Sequence, residues 1–135
     1  MLKYLYLFIG TFVLFMAIDL VWIGVLMKDF YREKIGFLMT KDVKWAAAFV
    51  FYILYIVGIL YFVVLPAWSS QSGYGEVLLK GAFLGLLCYA TYDLTNMATL
   101  EGWPLSMVIV DMIWGTVLTS LVSVGSYFLA SKWIL

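Results

Sequence analysis

The chain has 135 residues, 66% of them hydrophobic and 12% charged, with a mean hydropathy of +1.06. Soluble domains run about 45–50% apolar and about 25% charged, so this composition is that of an integral membrane protein. Zero formal net charge, no histidine and a single cysteine exclude an electrostatic case for a nucleic-acid partner, a disulfide framework, a Cys/His metal site and an imidazole base, leaving carboxylates as the strong chemistry inside the spans.

A hydrocarbon core about 30 Å thick takes roughly 20 apolar residues of helix, and four runs qualify. They are about Tyr4 to Met27, Trp45 to Leu65, Val77 to Leu100 and Leu105 to Ala130. The expected fold is all-α, a four-helix transmembrane bundle forming one domain over residues 1–135.

The first run holds 14 Leu, Ile, Phe or Val residues, which together outweigh the roughly +2.5 to +3.5 kcal/mol that one mid-span aspartate, Asp19, costs. It exceeds the length of a signal-peptide core and lacks a small-x-small exit, so it is expected to stay as an anchor. The helical pattern continues through Lys28 to Ile35, with Gly36 as the expected cap. The segment from Lys28 to Lys44 carries five of the eight Lys and Arg residues, which assigns it to the cytoplasmic side.

The second run is expected to start behind a Thr40 or Asp42 cap, to end at Pro66, and to act mostly as scaffold. The turn-rich stretch from Ala67 to Glu76 lacks Lys and Arg and suits an outside loop. The third run inserts poorly, with nine strongly apolar residues set against Lys80, Asp93, Asn96 and several Thr and Gly, so it is expected inside the bundle. Its Gly81 and Gly85 form a small-xxx-small pair that lets another helix come close. Gly102 and Pro104 then predict a tight hairpin that makes the third and fourth helices antiparallel neighbours.

The fourth run carries Asp111 early, then Thr116, Thr119, Ser123 and Ser126, a hydroxyl stripe whose members commonly bond back to their own helix. Trp45, Trp68, Trp103 and Trp133 fall at span ends, as interfacial anchors do; Trp22 and Trp114 do not. The resulting orientation has both termini outside and the 28–44 segment cytoplasmic.

Depth then singles out three acids. Asp19 lies eight residues before Met27, Asp93 eight before Glu101, and Asp111 seven after Pro104, which at 1.5 Å per residue puts each roughly 10–12 Å from the same face. Aspartate is too short to reach the interface from there. Charged groups at such depth face the bundle interior and find partners, yet no Lys or Arg shares the level. Carboxylates crowded into one site cannot all ionise and titrate as a unit, so such a set holds protons or a cation. Tyr89 and Asn96 share a helix face with Asp93 and are expected to hydrogen-bond there. Trp22 and Trp114 each follow an aspartate by three positions, giving two copies of Asp-x-x-Trp on oppositely directed helices; four residues are too short to establish an inverted repeat.

Asp19-Leu20-Val21-Trp22-Ile23-Gly24, Tyr92-Asp93-Leu94-Thr95-Asn96, and Trp103-Pro104 leading to Asp111-x-x-Trp114-Gly115 together resemble, along the whole chain, an uncharacterised family of small four-helix bacterial membrane proteins known only as a domain of unknown function. That resemblance implies a bacterial inner-membrane protein and supplies no activity, substrate or catalytic residue. Size and helix count are also similar to the small multidrug transporters, which act as dimers. Their helix-1 glutamate is replaced here by Asp19 near the opposite end of the span, with two further acids, so that likeness is analogy alone.

Three functional readings follow. The first is a proton- or cation-coupled carrier or sensor of a small or lipophilic molecule, with Asp19, Asp93 and Asp111 as the exchange site and Tyr89, Asn96, Trp22 and Trp114 in support. The second is a structural or assembly module whose buried Asp residues are hydrogen-bonded glue. The third, a lipid-modifying enzyme pairing an acid with a base carboxylate, with or without Mg²⁺ or Mn²⁺, is the less favoured. No cofactor is expected, since no lysine lies mid-span for retinal and no histidine exists for haem. The expected partners are the lipid bilayer, a small lipophilic or cationic ligand and a second copy of the chain that would complete the site.

Overall fold

The computed structural model describes residues 1–135, which form helices and turns with no strand. The helices are α1 (Leu2–Leu26), the short α2 (Lys28–Ile35), α3 (Trp45–Ser69), α4 (Tyr74–Thr99) and α5 (Leu105–Ile134); all but α2 are long and apolar enough to cross a membrane. Contacts at the two ends fix how they alternate. At one end the Lys3 ammonium donates to the Leu135 carbonyl at 3.5 Å and the Tyr127 hydroxyl donates to the Ser72 carbonyl at 2.6 Å. At the other, the tip of the Phe37 ring lies 3.7 Å from where a Cβ on Gly102 would stand. The termini and the α3–α4 connection therefore share one face, and the 28–44 segment shares the other with the α4–α5 turn.

That turn uses Gly102 in the left-handed region, φ 74°, where glycine carries no Cβ penalty. Pro104 sits one residue ahead of α5, where its missing N–H costs nothing. The two antiparallel helices then approach closely. A Cβ on Gly85 would lie 2.2 Å from the Gly115 carbonyl oxygen, and one on Gly81 would lie 2.6 Å from the Ser123 hydroxyl. In lipid, where apolar surfaces gain nothing by hiding from water, such backbone proximity is a main source of helix association.

The centre of the bundle is α5, not α4. In its most apolar stretch 44% of α5 is buried, against 22% of α4, so the poorly inserting helix expected inside the bundle is one of its two more exposed spans. The threonines of α4 are satisfied by their own helix: Thr91 donates to the Leu87 carbonyl at 2.6 Å, Thr99 to that of Thr95 at 2.8 Å, and Thr95 to those of Thr91 and Tyr92. Lys80 pairs with Glu76 at 2.6 Å near the helix start. The hydroxyls of α5 do cross between helices, Thr119 to the Tyr55 hydroxyl at 2.7 Å and Ser126 to Thr11 at 2.5 Å, whereas Thr116 bonds back to Met112 at 2.8 Å. Leu7, Phe15, Ile56, Ile59, Leu118 and Val122 fill the apolar interior around these bridges.

Four local expectations need correction. Pro66 does not end α3, because a wide turn over Leu60–Val64 absorbs the missing N–H and the ring, and the helix runs on to Ser69. Helix α1 does not continue smoothly into α2. It closes with a wide turn in which the Met27 N–H donates to the Trp22 carbonyl at 2.8 Å, and Met27 then breaks the helix at φ −120°, ψ 10°. Thr40 and Asp42 do not cap α3, which begins after Lys44; the Thr40 hydroxyl instead accepts the Asp42 N–H at 3.2 Å. Gly36 follows α2 in a right-handed conformation, φ −57°, and leads into a single 3₁₀ turn rather than a left-handed cap.

Candidate functional site

The break at Met27 lets α2 fold back beneath the bundle, and this brings Tyr31 to the acids. The Trp22 indole N–H donates to the Tyr31 hydroxyl oxygen at 3.1 Å, and that hydroxyl donates to Asp111 Oδ1 at 2.7 Å. Burial pushes the Tyr31 phenol above the usual tyrosine range, so it acts as a neutral O–H donor. On the other side, the Trp114 indole N–H donates to Asp19 Oδ1 at 3.3 Å. The two indoles lie face to face, with ring centroids 4.1 Å apart and planes within 4°. Each Asp-x-x-Trp motif thus supplies the tryptophan that serves the other motif's aspartate, once directly and once through Tyr31.

Asp93 behaves differently. It is fully buried, and neither carboxylate oxygen has a hydrogen-bond partner. The Asp111 carboxyl and the Trp103 indole are its polar neighbours, and Asp111 lines a cavity together with Asp19. The acids therefore line up through Asp111, with Asp93 on one side and Asp19 on the other; no three of them gather into a set that could hold one metal ion. Asp111 also borders two cavities. One, of about 220 Å³, is shared with Asp19, Tyr31, Tyr89 and Trp114. The other, of about 610 Å³, is shared with Phe51, Tyr55, Cys88, Tyr89, Thr91 and Tyr92.

The supporting residues divide. Trp22 and Trp114 sit in the relay described above. Tyr89 packs its ring on Gly115, 2.1 Å from where a Cβ would be, and turns an edge to Tyr55; it makes no hydrogen bond to Asp93. Asn96, expected to bond Asp93, does not: both Asp93 oxygens are without a hydrogen-bond partner. Trp103 is not a simple interfacial anchor. Its ring turns edge-on to Tyr92 at 5.8 Å, and its buried indole nitrogen has no partner. Tyr31 and Trp103 are the two residues that sequence reasoning missed. The one available signal for Tyr31 was the Phe30-Tyr31 pair standing between the charged residues Lys28, Asp29, Arg32, Glu33 and Lys34.

A family model described as "Predicted membrane protein (DUF2177)" matches residues 4–128. The chain belongs to this family. Its description agrees with the four apolar helices, and the matched span takes in all three aspartates, both Asp-x-x-Trp motifs and Tyr31. No curated protein and no solved structure matches the chain.

Replacing Tyr31 by phenylalanine keeps the ring and removes the relay, stranding the Trp22 N–H and an Asp111 oxygen. The expected loss is about 1–3 kcal/mol, read as a lower melting temperature in detergent. An unchanged melting temperature would mean that the relay contributes nothing to holding α2 against the bundle.

Proposed function

We propose that this membrane protein is a proton- or cation-coupled carrier or sensor of a small or lipophilic molecule, resident in a bacterial inner membrane with the 28–44 segment cytoplasmic and both termini outside. The observation that carries the reading is Asp93, a fully buried carboxyl group with two unpartnered oxygens beside the carboxyl of Asp111. A residue kept only to join helices is bonded to something. An acid without a partner, next to a second acid that borders open cavities, is suited to binding and releasing a proton or a cation. Asp111 is the exchange partner and the ligand-facing group in this scheme.

A second reading applies to Asp19 alone. Its bond to Trp114 is that of a bracing residue, and bracing rather than exchange is the role proposed for it.

Purified protein in liposomes loaded with a pH dye tests the proposal. Proton movement above that of protein-free liposomes is expected, and it should vanish in Asp93→Asn and in Asp111→Asn. Flux that survives both substitutions would reject the exchange role.

A further inference from the structure

The larger cavity beside Asp111 has features that narrow the ligand. It is a groove between α3 and α4, which meet chiefly at the Leu60–Val64 turn, with Asp111 of α5 behind them. Its volume, about 610 Å³, lies within the range of small-molecule sites. Its walls are the rings of Phe51, Tyr55, Tyr89 and Tyr92, and its one charged group is Asp111. The rim residues Phe51 and Tyr92 are about half exposed, at 48% and 54%. Phe51 is six residues into α3 and Thr91 eight from the end of α4, roughly 9–12 Å along the spans, so the mouth opens onto lipid chains rather than water.

Charge decides the occupant. Tyr31 takes Asp111 Oδ1, and no N–H or hydroxyl of the chain donates to Oδ2. The ion pairs in the chain are Glu33–Lys34 and Glu76–Lys80, so no protein cation answers Asp111. An anionic amphiphile would meet Asp111 and Asp93 together. A neutral tail would fill the groove but leave Oδ2 without a donor. An ammonium N–H satisfies Oδ2, and the surrounding ring faces favour its charge.

Resting on the reading of Asp111 as the ligand-facing carboxylate, we infer that the groove between α3 and α4 is a binding site for a lipophilic amine, which enters sideways from the bilayer with its ammonium on Asp111 and its apolar body among Phe51, Tyr55 and Tyr92.

The test is equilibrium binding to the protein in nanodiscs with three probes on one naphthylethyl body: the primary amine, the alcohol and the carboxylic acid. The amine should bind at least tenfold more tightly than the other two and lose that advantage in Asp111→Asn. Thr91→Trp, at an exposed rim position, should block the groove and abolish amine binding with the carboxylates untouched. Cys88, the single cysteine, lines the groove, so bound amine should slow its reaction with a maleimide. Equal binding of alcohol and amine would show a groove for neutral lipid tails and overturn the inference, as would amine affinity unchanged by Thr91→Trp. Because no proton gradient is involved, failure here with Asp-dependent proton flux intact removes only the amine. Amine binding without such flux removes the coupled carrier and leaves the site.

Discussion

Replacing Gly85 by valine is expected to abolish the native bundle. The added Cβ would stand 2.2 Å from the Gly115 carbonyl oxygen and 2.7 Å from the Thr119 side chain, so the obstacle is backbone, which cannot rotate away as a side-chain tip can. Helix α4 would have to leave α5, carrying with it the Tyr89 ring on Gly115 and the Asp93–Asp111 pair. Overpacking within a core commonly costs about 1–3 kcal/mol; with a carbonyl as the clashing atom the cost should reach or exceed the top of that range. The checks are melting temperature and monodispersity in mild detergent. Gly75→Ala, at a glycine with open space around it, serves as the control and should behave as wild type. A folded, wild-type-like Gly85→Val protein would mean that α4 and α5 do not pack as described.

The second large effect is a separation of stability from activity at Asp93. A buried carboxyl with no hydrogen bond is a cost to the folded state, of the order of 1–3 kcal/mol for a polar group in protein mutational data. Asp93→Asn keeps the shape and removes the ionisable group, so the variant should melt at or above the wild-type temperature while its proton flux in liposomes falls to background. If the residue were helix glue the pattern would invert, with the melting temperature lowered by the loss of a bond and any activity retained. Asp19 provides the contrast. Asp19 accepts the Trp114 N–H, which an amide oxygen can still accept, so Asp19→Asn should keep most of its stability and Asp19→Leu, which has no acceptor, should lose it while the Asp93–Asp111 pair remains in place.

These expectations use features of unequal legibility. The four spans follow from apolar runs longer than a bilayer needs, because in lipid only a helix satisfies every backbone group internally. The pairing of α4 with α5 was also readable: Gly81 and Gly85 permit a backbone approach that any Cβ would block, and Gly102 supplies the left-handed residue of the turn. Counting residues from the span ends was enough to bring Asp19, Asp93 and Asp111 into consideration together.

What resisted reading was the consequence of local backbone choices. Gly24 stands in the wide turn before Met27, but neither proline nor glycine occupies the break itself, and the pattern did not say that the chain returns Tyr31 to Asp111. The wide turn before Pro66 likewise has no residue signature and lets α3 continue. A tally of polar residues misplaced α4, since threonines bonded to their own helix carbonyls carry little polarity outward. Trp103 lies at a span end, as an anchoring tryptophan would, and only its buried indole nitrogen shows that it turns inward.

The exchange role of Asp93 is tested most directly by infrared difference spectroscopy of the protein in liposomes, acid minus alkaline, read at the C=O stretch of protonated carboxyl groups. A carboxyl band that Asp93→Asn removes and Asp111→Asn shifts is the predicted result. Spectra identical in wild type and both variants across the titration would contradict it.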